Sequence, residues 1–424
     1  MPWPCWGRLL QRGRLLLLIP WPRWGRLAQR SALFLSLLLL PFSKAAVEIT
    51  FGLLLIGWLI EHGATRWRES VWASRSSRPC LVALVGFLVV CALSIVTSTY
   101  PGNSLNGFIN KTLEYALMLV IAADVAKDRL VVQRGLAILM VSSLFVGLDA
   151  VAQEIFGKEP LFGYVVTNYG RMGGPYNNPS DLATYLIVVI PIVIVQMAVV
   201  SGRKRWALGA LLALLVGCVI RTESRGAWLG LLGSLAVLGV VSRRLGRPLL
   251  IAGLSVAVCG GLFLQMIGRL HQVALDPGTR DRVLMWQSAY KMIQDRPVLG
   301  QGLNTFMANY LKYRVGGEQQ PRYAHNCFLQ VAAETGLLGL ATFLWWLGSM
   351  TWLWWRAFRS LTPQDPSRSA LLGVASGLIG FLIQSAFDTN FYSLRQAALF
   401  WTLAGLATGL AVMTLGKPAR QEDV

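Results

Sequence analysis

The chain has 424 residues, of which 54% are hydrophobic and only 14% are charged. This composition excludes an ordinary soluble protein and is typical of an integral membrane protein. The formal net charge of +19 would suggest a nucleic-acid partner in a soluble chain. Here the basic residues fall in short clusters between apolar runs, a pattern that indicates membrane topology and no nucleic acid.

Residues 1–28 form a leader that is rich in Trp and Arg. Its short apolar run, residues 15–19, lies between arginines and is followed by Pro20 and Pro22. These features are poor for a signal peptide. They favour a cytoplasmic leader at the membrane interface, with a misassigned start codon as the alternative.

Twelve apolar runs follow, each near the roughly 17 to 25 residues that cross a bilayer. They predict an all-α, polytopic membrane protein with about twelve transmembrane helices. Nine helices fall in residues 29–268 and three in residues 326–415, with 269–325 as a long loop and 416–424 as a tail. The runs are residues 29–43, 45–62, 80–97, 111–126, 135–154, 182–201, 206–220, 226–242, 248–268, 326–355, 370–387 and 396–415.

Basic clusters, such as residues 203–205, occupy every second connection between these runs, and the alternate connections are poor in Lys and Arg. The positive-inside rule then places both termini in the cytoplasm. It places residues 156–181, 221–225 and 269–324 on the outer side, where the chemically suggestive side chains collect.

The longest outer segment carries a helical pattern, because Val283, Trp286, Tyr290 and Ile293 recur at helical spacing. This pattern predicts an amphipathic helix lying over the bundle. The Gly-x-Gly of residues 300–302 follows no predicted strand, so we interpret it as a turn and not as a phosphate loop.

Three outer-side arginines stand in distinctive settings: Arg171 in a Gly-rich segment, Arg225 at the start of a helix, and Arg282 one helical turn before Trp286. A guanidinium matches phosphate oxygens bidentately and stays charged, so three convergent arginines would suit a diphosphate. The alternative is that each one contacts lipid headgroups or pairs with a carboxylate of Glu223, Asp281 or Asp388.

His325 lies where the long polar stretch ends and a hydrophobic helix resumes. A neutral imidazole can accept a hydroxyl proton, so His325 is a candidate general base. The alternative is a helix-start histidine that only hydrogen-bonds at the interface. Asp388 begins the last outer turn and could orient an arginine or histidine, or cap a helix.

The six cysteines have no metal-ligand spacing, and we interpret them as small core residues. The outer segments hold no cluster of His, Cys or paired carboxylates with metal-ligand spacing, and no Ser-His-Asp arrangement. The sequence therefore predicts chemistry without a metal or cofactor.

Together these segments resemble the superfamily of O-antigen ligases and polymerases, which are membrane glycosyltransferases that use lipid-linked glycans. The most specific element is His325-Asn326, then nine residues, then Gly336-x-x-Gly339, which is similar to the ligase pattern. The resemblance covers most of the chain from Arg171 to Asp388. Further blocks that look like the family are residues 170–182, 224–228, 282–286 and 297–302.

The resemblance implies an inverting, metal-independent transfer of a glycan from undecaprenyl diphosphate to an acceptor hydroxyl. The reaction would take place at the periplasmic face of the bacterial inner membrane. Arg171, Arg225 and Arg282 would bind the diphosphate, Arg225 and Arg282 would stabilise its departure, and His325 would deprotonate or orient the acceptor. Supporting positions are Arg221 and Arg280 for the diphosphate, with Asp388 and Asn326 beside the histidine.

The acceptor is open. The compact C-terminal tail and short outer excursion favour ligation to lipid A-core in lipopolysaccharide biosynthesis. Polymerisation of O-antigen or exopolysaccharide repeats and oligosaccharide transfer to protein are the alternatives within the superfamily. A bicarbonate or solute transporter is an alternative of another class, and it predicts charges buried on broken helices. A structural assembly partner is the third class, but it would not need the arginines and His325 together.

Overall fold

The computed structural model describes residues 21–62, 70–166, 170–241, 277–316, 320 and 323–416. Within these ranges the chain is helical, and the β-structure consists of one isolated bridge between Lys158 and Val165. In chain order the α-helices are α1 (Trp21–Leu39), α2 (Lys44–His62), α3 (Arg78–Val96), α4 (Pro101–Gly107), α5 (Glu114–Val125), α6 (Arg129–Phe156), α7 (Pro179–Val199), α8 (Gly202–Thr222), α9 (Arg225–Val241), α10 (Pro277–Asp295), α11 (Phe306–Tyr313), α12 (Cys327–Ser360), α13 (Pro366–Gln384) and α14 (Leu394–Leu415).

The all-α, polytopic membrane fold is confirmed. Eight of these helices are long and apolar enough to cross a membrane: α2, α3, α6, α7, α8, α12, α13 and α14. Three more predicted runs are helical but do not reach that standard. Helix α1 begins in the basic leader, α9 has 17 residues, and α4 joins α5 through a π-helical turn over Phe108–Leu113. The ninth run, residues 248–268, and nearly all of the tail lie outside the described residues, so the count of twelve stays a prediction.

The membrane helices approach closely where one of them carries glycine. A Cβ on Gly377 of α13 would lie 2.3 Å from the Val188 carbonyl oxygen of α7, and one on Gly409 of α14 would lie 2.1 Å from the Ala123 oxygen of α5. Association between apolar helices depends on such packing, because lipid is as apolar as the side chains it replaces.

Helix α12 is interrupted at Gly336, which has φ +73° and ψ 179°. The turn after α10 pairs with the peptide groups of the interruption. The Leu337 N–H donates to the Pro297 carbonyl at 2.7 Å, and the Gly302 N–H donates to the Glu334 carbonyl at 2.9 Å. A Cβ on Gly336 would lie 2.0 Å from the Val298 oxygen, so a side chain does not fit. The Gly-x-Gly of residues 300–302 is therefore a turn, as predicted, and it fastens the outer segment to α12.

Helix α10 confirms the predicted amphipathic helix, but only part of the predicted apolar stripe faces inward. Met285, Ala289, Met292 and Ile293 are buried, whereas Val283 and Tyr290 are 44% and 58% exposed. Both faces carry apolar residues at helical spacing, and the sequence pattern alone did not distinguish them. The buried face packs on α11 and the first half of α12 in a second, smaller hydrophobic cluster.

Several helices end at the same side of the bundle, which we call the site end. The Met172 N–H donates to the Arg221 carbonyl at 3.2 Å and so joins the segment before α7 to the end of α8. The Cys327 N–H donates to the Ser385 carbonyl at 2.8 Å and joins the start of α12 to the end of α13. All the residues singled out from the sequence for chemistry lie at or beyond this end.

At the opposite end, the buried carboxylate of Asp124 in α5 collects several donors. It accepts from Trp58 Nε1 at 2.9 Å, Ser70 Oγ at 3.0 Å and the Val71 N–H at 2.8 Å. His62 Nε2 lies 3.8 Å away. A buried carboxylate requires such partners, and here they tie α2 and the start of the next segment to α5.

The glycine contacts predict that Gly377→Ala lowers the free energy of unfolding by about 1–3 kcal/mol, because the added methyl group must displace backbone. Gly217→Ala in α8 is the matched control, since no atom lies within 4 Å of its Cβ position. Thermal unfolding in detergent should show a lower midpoint for the first variant and an equal or higher midpoint for the second. Equal midpoints for both variants would contradict the close packing of α7 and α13.

Candidate active site at one end of the helix bundle

The site is centred on a contact between the two titratable side chains selected from the sequence. His325 Nδ1 lies 3.1 Å from Asp388 Oδ1, and the side chains are 33% and 15% exposed. His325 immediately precedes α12, and Asp388 lies in the turn between α13 and α14. Two residues 63 positions apart are thus joined, and the histidine keeps an exposed face.

Local structure fixes the histidine. Asn326 is the N-cap of α12, and its Oδ1 accepts from the Phe328 and Leu329 N–H groups, both at 3.0 Å. Its side chain therefore satisfies the helix start, which is a sufficient reason for an asparagine there. His325 itself has φ +45°, a left-handed conformation that is uncommon for a residue other than glycine.

Asp388 is held ionised. Burial acts to raise its pKa, but the hydrogen bond and charge of His325, the Thr389 N–H and the charge of Arg282 together bring it below the ordinary value. The Thr389 N–H donates to the same oxygen, Oδ1, at 2.9 Å. An ionised acceptor at Nδ1 favours the tautomer whose lone pair is on Nε2, which is the form a general base needs.

Arg282 on α10 lies close enough to this pair for its positive charge to help lower the pKa of Asp388. Its side chain is half-buried, whereas Arg280, two residues earlier, is exposed. The structure therefore brings Arg282 to the site and leaves Arg280 on the surface of α10.

The remaining arginines lie around the end of α8 and the start of α9. Arg225 opens α9 beside Gly226, whose Cβ position is 3.1 Å from Phe387, the neighbour of Asp388. Arg171 Nε donates to the Thr222 carbonyl at 2.9 Å, three residues before Arg225.

Arg221 has a carboxylate partner on a neighbouring helix. It forms an ion pair with Glu154 of α6, and both side chains are exposed. For this arginine the structure supports the alternative interpretation, pairing with a carboxylate, although Glu154 was not among the partners considered. Arg225 adjoins the turn that carries Asp388, because its neighbour Gly226 lies against Phe387.

Arg395, which the sequence analysis missed, holds the Arg171 segment in place. It is 8% exposed and donates to the carbonyls of Pro41, Pro175 and Tyr176 at 2.7, 2.9 and 3.3 Å. Its guanidinium also lies 4.3 Å from the centre of the Tyr176 ring. A lone arginine at the start of an apolar run was the available signal.

Glu334 of α12 was also missed, and it is 1% exposed. Its carboxylate accepts from the N–H groups of Asn304 and Phe306, from the Tyr392 hydroxyl and from Gln330 Nε2. The signal was again a single charge inside an apolar run, nine residues after His325.

An apolar pocket lies beside Tyr392, in the turn that follows Asp388. Asn304 and Tyr392 line it together with Lys111, whose Nζ donates to Asn304 Oδ1 at 2.9 Å. Aromatic rings form much of its wall, including those of Phe87, Tyr115, Phe343, Phe391 and Trp401.

Among the described residues, no group of three or more His, Cys, Asp or Glu side chains could hold a metal ion. Metal-independent chemistry stays a prediction.

Fold and site together define a multi-pass, all-α membrane protein with a histidine–aspartate pair and several arginines at one end of its bundle. Residues 210–344 match the family model described as O-Antigen ligase. This match spans Arg221, Arg225, Arg282 and His325, and leaves Arg171 and Asp388 outside. The resemblance to the O-antigen ligase family is thereby confirmed.

A relative from Rickettsia felis carries the name "Putative polysaccharide ligase". It is 24% identical over an alignment of 279 positions that covers 61% of this chain. The matched part covers 64% of the relative's length, so the chain spans somewhat less than two thirds of it.

The hydrogen bonds from Arg395 to three carbonyls predict that this arginine holds residues 170–178 in place. Arg395→Lys keeps the charge but cannot reach three carbonyls, so amide hydrogen exchange in residues 170–178 should accelerate at least about tenfold, the equivalent of roughly 1.4 kcal/mol. Arg203→Lys, at an exposed position of the opposite end, serves as the control. Unchanged exchange in residues 170–178 of Arg395→Lys would show that this arginine does not hold the segment.

Proposed function

We propose that this protein is an inverting, metal-independent glycosyltransferase that moves a glycan from undecaprenyl diphosphate to an acceptor hydroxyl. The observation that carries the proposal is the 3.1 Å contact between His325 and an ionised Asp388 with Arg282 nearby. The O-antigen ligase family match over residues 210–344 supports the same class of reaction.

The acceptor hydroxyl gives its proton to Nε2 of His325, and its oxygen attacks the anomeric carbon of the donor glycan. The bond from that carbon to the diphosphate oxygen breaks, and the diphosphate leaves with the electron pair. Direct attack from the opposite face inverts the anomeric carbon. Asp388 orients the imidazole and stabilises its charged form, as the aspartate of a Ser-His-Asp triad does for its histidine.

The leaving group needs countercharge more than it needs a proton, because a diphosphate is a stable anion. Arg282 and Arg225 would supply that charge, with Arg171 as a further diphosphate ligand. Arg221 and Arg280 contribute less, since Arg221 is paired with Glu154 and Arg280 is exposed on α10. The aromatic pocket beside Tyr392 could hold hydrocarbon of a lipid-linked substrate.

The membrane is the bacterial inner membrane, with both termini in the cytoplasm and the site end facing the periplasm. The distribution of basic clusters supports this orientation. The acceptor that we favour is lipid A-core, which makes the reaction O-antigen ligation. Polymerisation of glycan repeats and transfer to protein use the same proposed chemistry and are outcomes of the test.

A transporter is the alternative function, because α12 is broken and carries a buried carboxylate near the break. Broken helices with polar groups at the break form the binding sites of many transporters. The carboxylate of Glu334 already accepts four hydrogen bonds from the protein. Since its oxygens are occupied, it offers little to a coupling ion, and this supports the enzyme over the transporter.

Reconstitution tests the reaction class. Purified protein in vesicles receives undecaprenyl-diphosphate glycan and EDTA, with lipid A-core in one reaction and without it in another. Glycosylated lipid A-core in the first reaction alone is the expected result. Longer lipid-linked glycan in both would establish a polymerase. No product with lipid, glycan or protein acceptors would overturn the proposal.

In the same assay, His325→Ala and Arg282→Ala should each lower the transfer rate at least about 100-fold, because one loses the base and the other loses countercharge. Lys158→Ala, at an exposed position beyond the end of α6, is the control and should retain its rate. Near-normal rates in both site variants, with expression intact, would place the chemistry elsewhere.

A further inference from the structure

Glu334 occupies an unusual position, because its four hydrogen-bond donors come from three separate parts of the chain. Oε2 accepts from the Asn304 N–H at 2.7 Å and the Tyr392 hydroxyl at 2.9 Å. Oε1 accepts from the Phe306 N–H and from Gln330 Nε2, both at 3.2 Å. Three of these donors lie outside α12, so one buried carboxylate joins the outer segment, the last turn and the broken helix.

The first connection leads to His325 through Gln330. A carboxylate can only accept, so it forces the Gln330 amide to present its NH₂ group to Glu334. The amide oxygen of Gln330 then faces the other way and accepts from the Ala324 N–H at 3.2 Å. Ala324 precedes His325, so the charge state of Glu334 determines which polar atom meets the backbone beside the proposed base.

The second connection leads to Asp388. Tyr392 belongs to the short 3-10 turn that follows Asp388 and is anchored by its hydroxyl to Glu334. Its ring centre lies 5.8 Å from that of Tyr323, two residues before His325. The two segments that carry the histidine and the aspartate are therefore held beside the same carboxylate, that of Glu334.

The third connection leads to Arg282. Phe306, whose N–H meets Glu334, is the first residue of α11 and is 1% exposed. It packs in the small hydrophobic cluster with Met285 and Ala289 of α10, the helix that carries Arg282. The arginine is thus held through a helix that rests on the start of α11.

We propose that Glu334 is the positioning residue of this site, which sets the relative places of His325, Asp388 and Arg282 by accepting from four donors. A group with four acceptor positions is required, and an amide cannot replace it. In Glu334→Gln an amide NH₂ takes the place of one carboxylate oxygen, so the backbone N–H of either Phe306 or Asn304 loses its acceptor. Such a mismatch destabilises the arrangement although the size of the side chain is unchanged.

The direct test is ¹⁵N NMR of histidine-labelled protein, which needs no substrate. The chain has three histidines, so their signals are assigned by single substitutions. Glu334→Gln should shift or broaden the imidazole signals of His325 and leave those of His62 unchanged.

Trp58→Phe is the matched control for Tyr392→Phe, because each removes one donor to a buried carboxylate. Trp58 lies beside His62, with ring centres 5.1 Å apart. Trp58→Phe should therefore move the His62 signals and not those of His325, and Tyr392→Phe should do the reverse. His325 signals that are unchanged in Glu334→Gln, or moved equally by Trp58→Phe, would overturn the proposal.

A second readout rests on the proposed function. Glu334→Gln should lower kcat for transfer at least about tenfold and change KM for the donor less. The double variant Gln330→Glu with Glu334→Gln restores an acceptor for the Ala324 N–H and should recover part of kcat.

Normal kcat in folded Glu334→Gln, or no recovery in the double variant, would contradict the positioning role. If the unmodified protein transfers no glycan, the proposed function fails, while the NMR result still decides the role of Glu334.

Discussion

The interruption of α12 at Gly336 is the constraint on which the site depends. A helix that breaks in apolar surroundings leaves peptide groups that must find partners. Residues 297–302 supply them, with hydrogen bonds of 2.7 to 2.9 Å across the break. Once this turn is fastened to α12, helices α10 and α11, which precede and follow the turn, are held against the first half of α12. The position of Arg282 relative to His325 follows from that attachment.

Most polar groups of the site lie at the ends of helices, and the membrane helices hold those ends in position. His325 precedes α12, Asp388 lies between α13 and α14, and Arg225 opens α9. A helix end has unpaired peptide groups and exposed side chains, so charge is less costly there than in a helix interior. Glu334, inside α12, is the exception, and it is surrounded by hydrogen-bond partners.

Much of this arrangement could be predicted from sequence, because hydropathy reports the membrane helices directly and helix ends follow from their lengths. The pairing of His325 with Asp388 could be predicted from the sequence only in part. Both were selected as candidates, but their contact depends on how α12, α13 and α14 pack. The inward face of α10 was not reachable, since Val283 and Met285 are both apolar. Glu334 and Arg395 were missed because a single charge in an apolar run does not identify its partners, and these partners are mostly backbone groups far away in sequence.

The backbone of His325 has a consequence for the evolution and engineering of this protein. A left-handed conformation costs a residue with a Cβ roughly 1 kcal/mol, and glycine or asparagine adopts it more easily. At φ +45° a histidine is therefore not the most stable choice for position 325. Selection for thermal tolerance alone would favour glycine there and would discard the imidazole in the process. A stabilised variant that keeps the proposed base has to gain its stability elsewhere, because stability favours glycine at this position and the proposed reaction requires histidine.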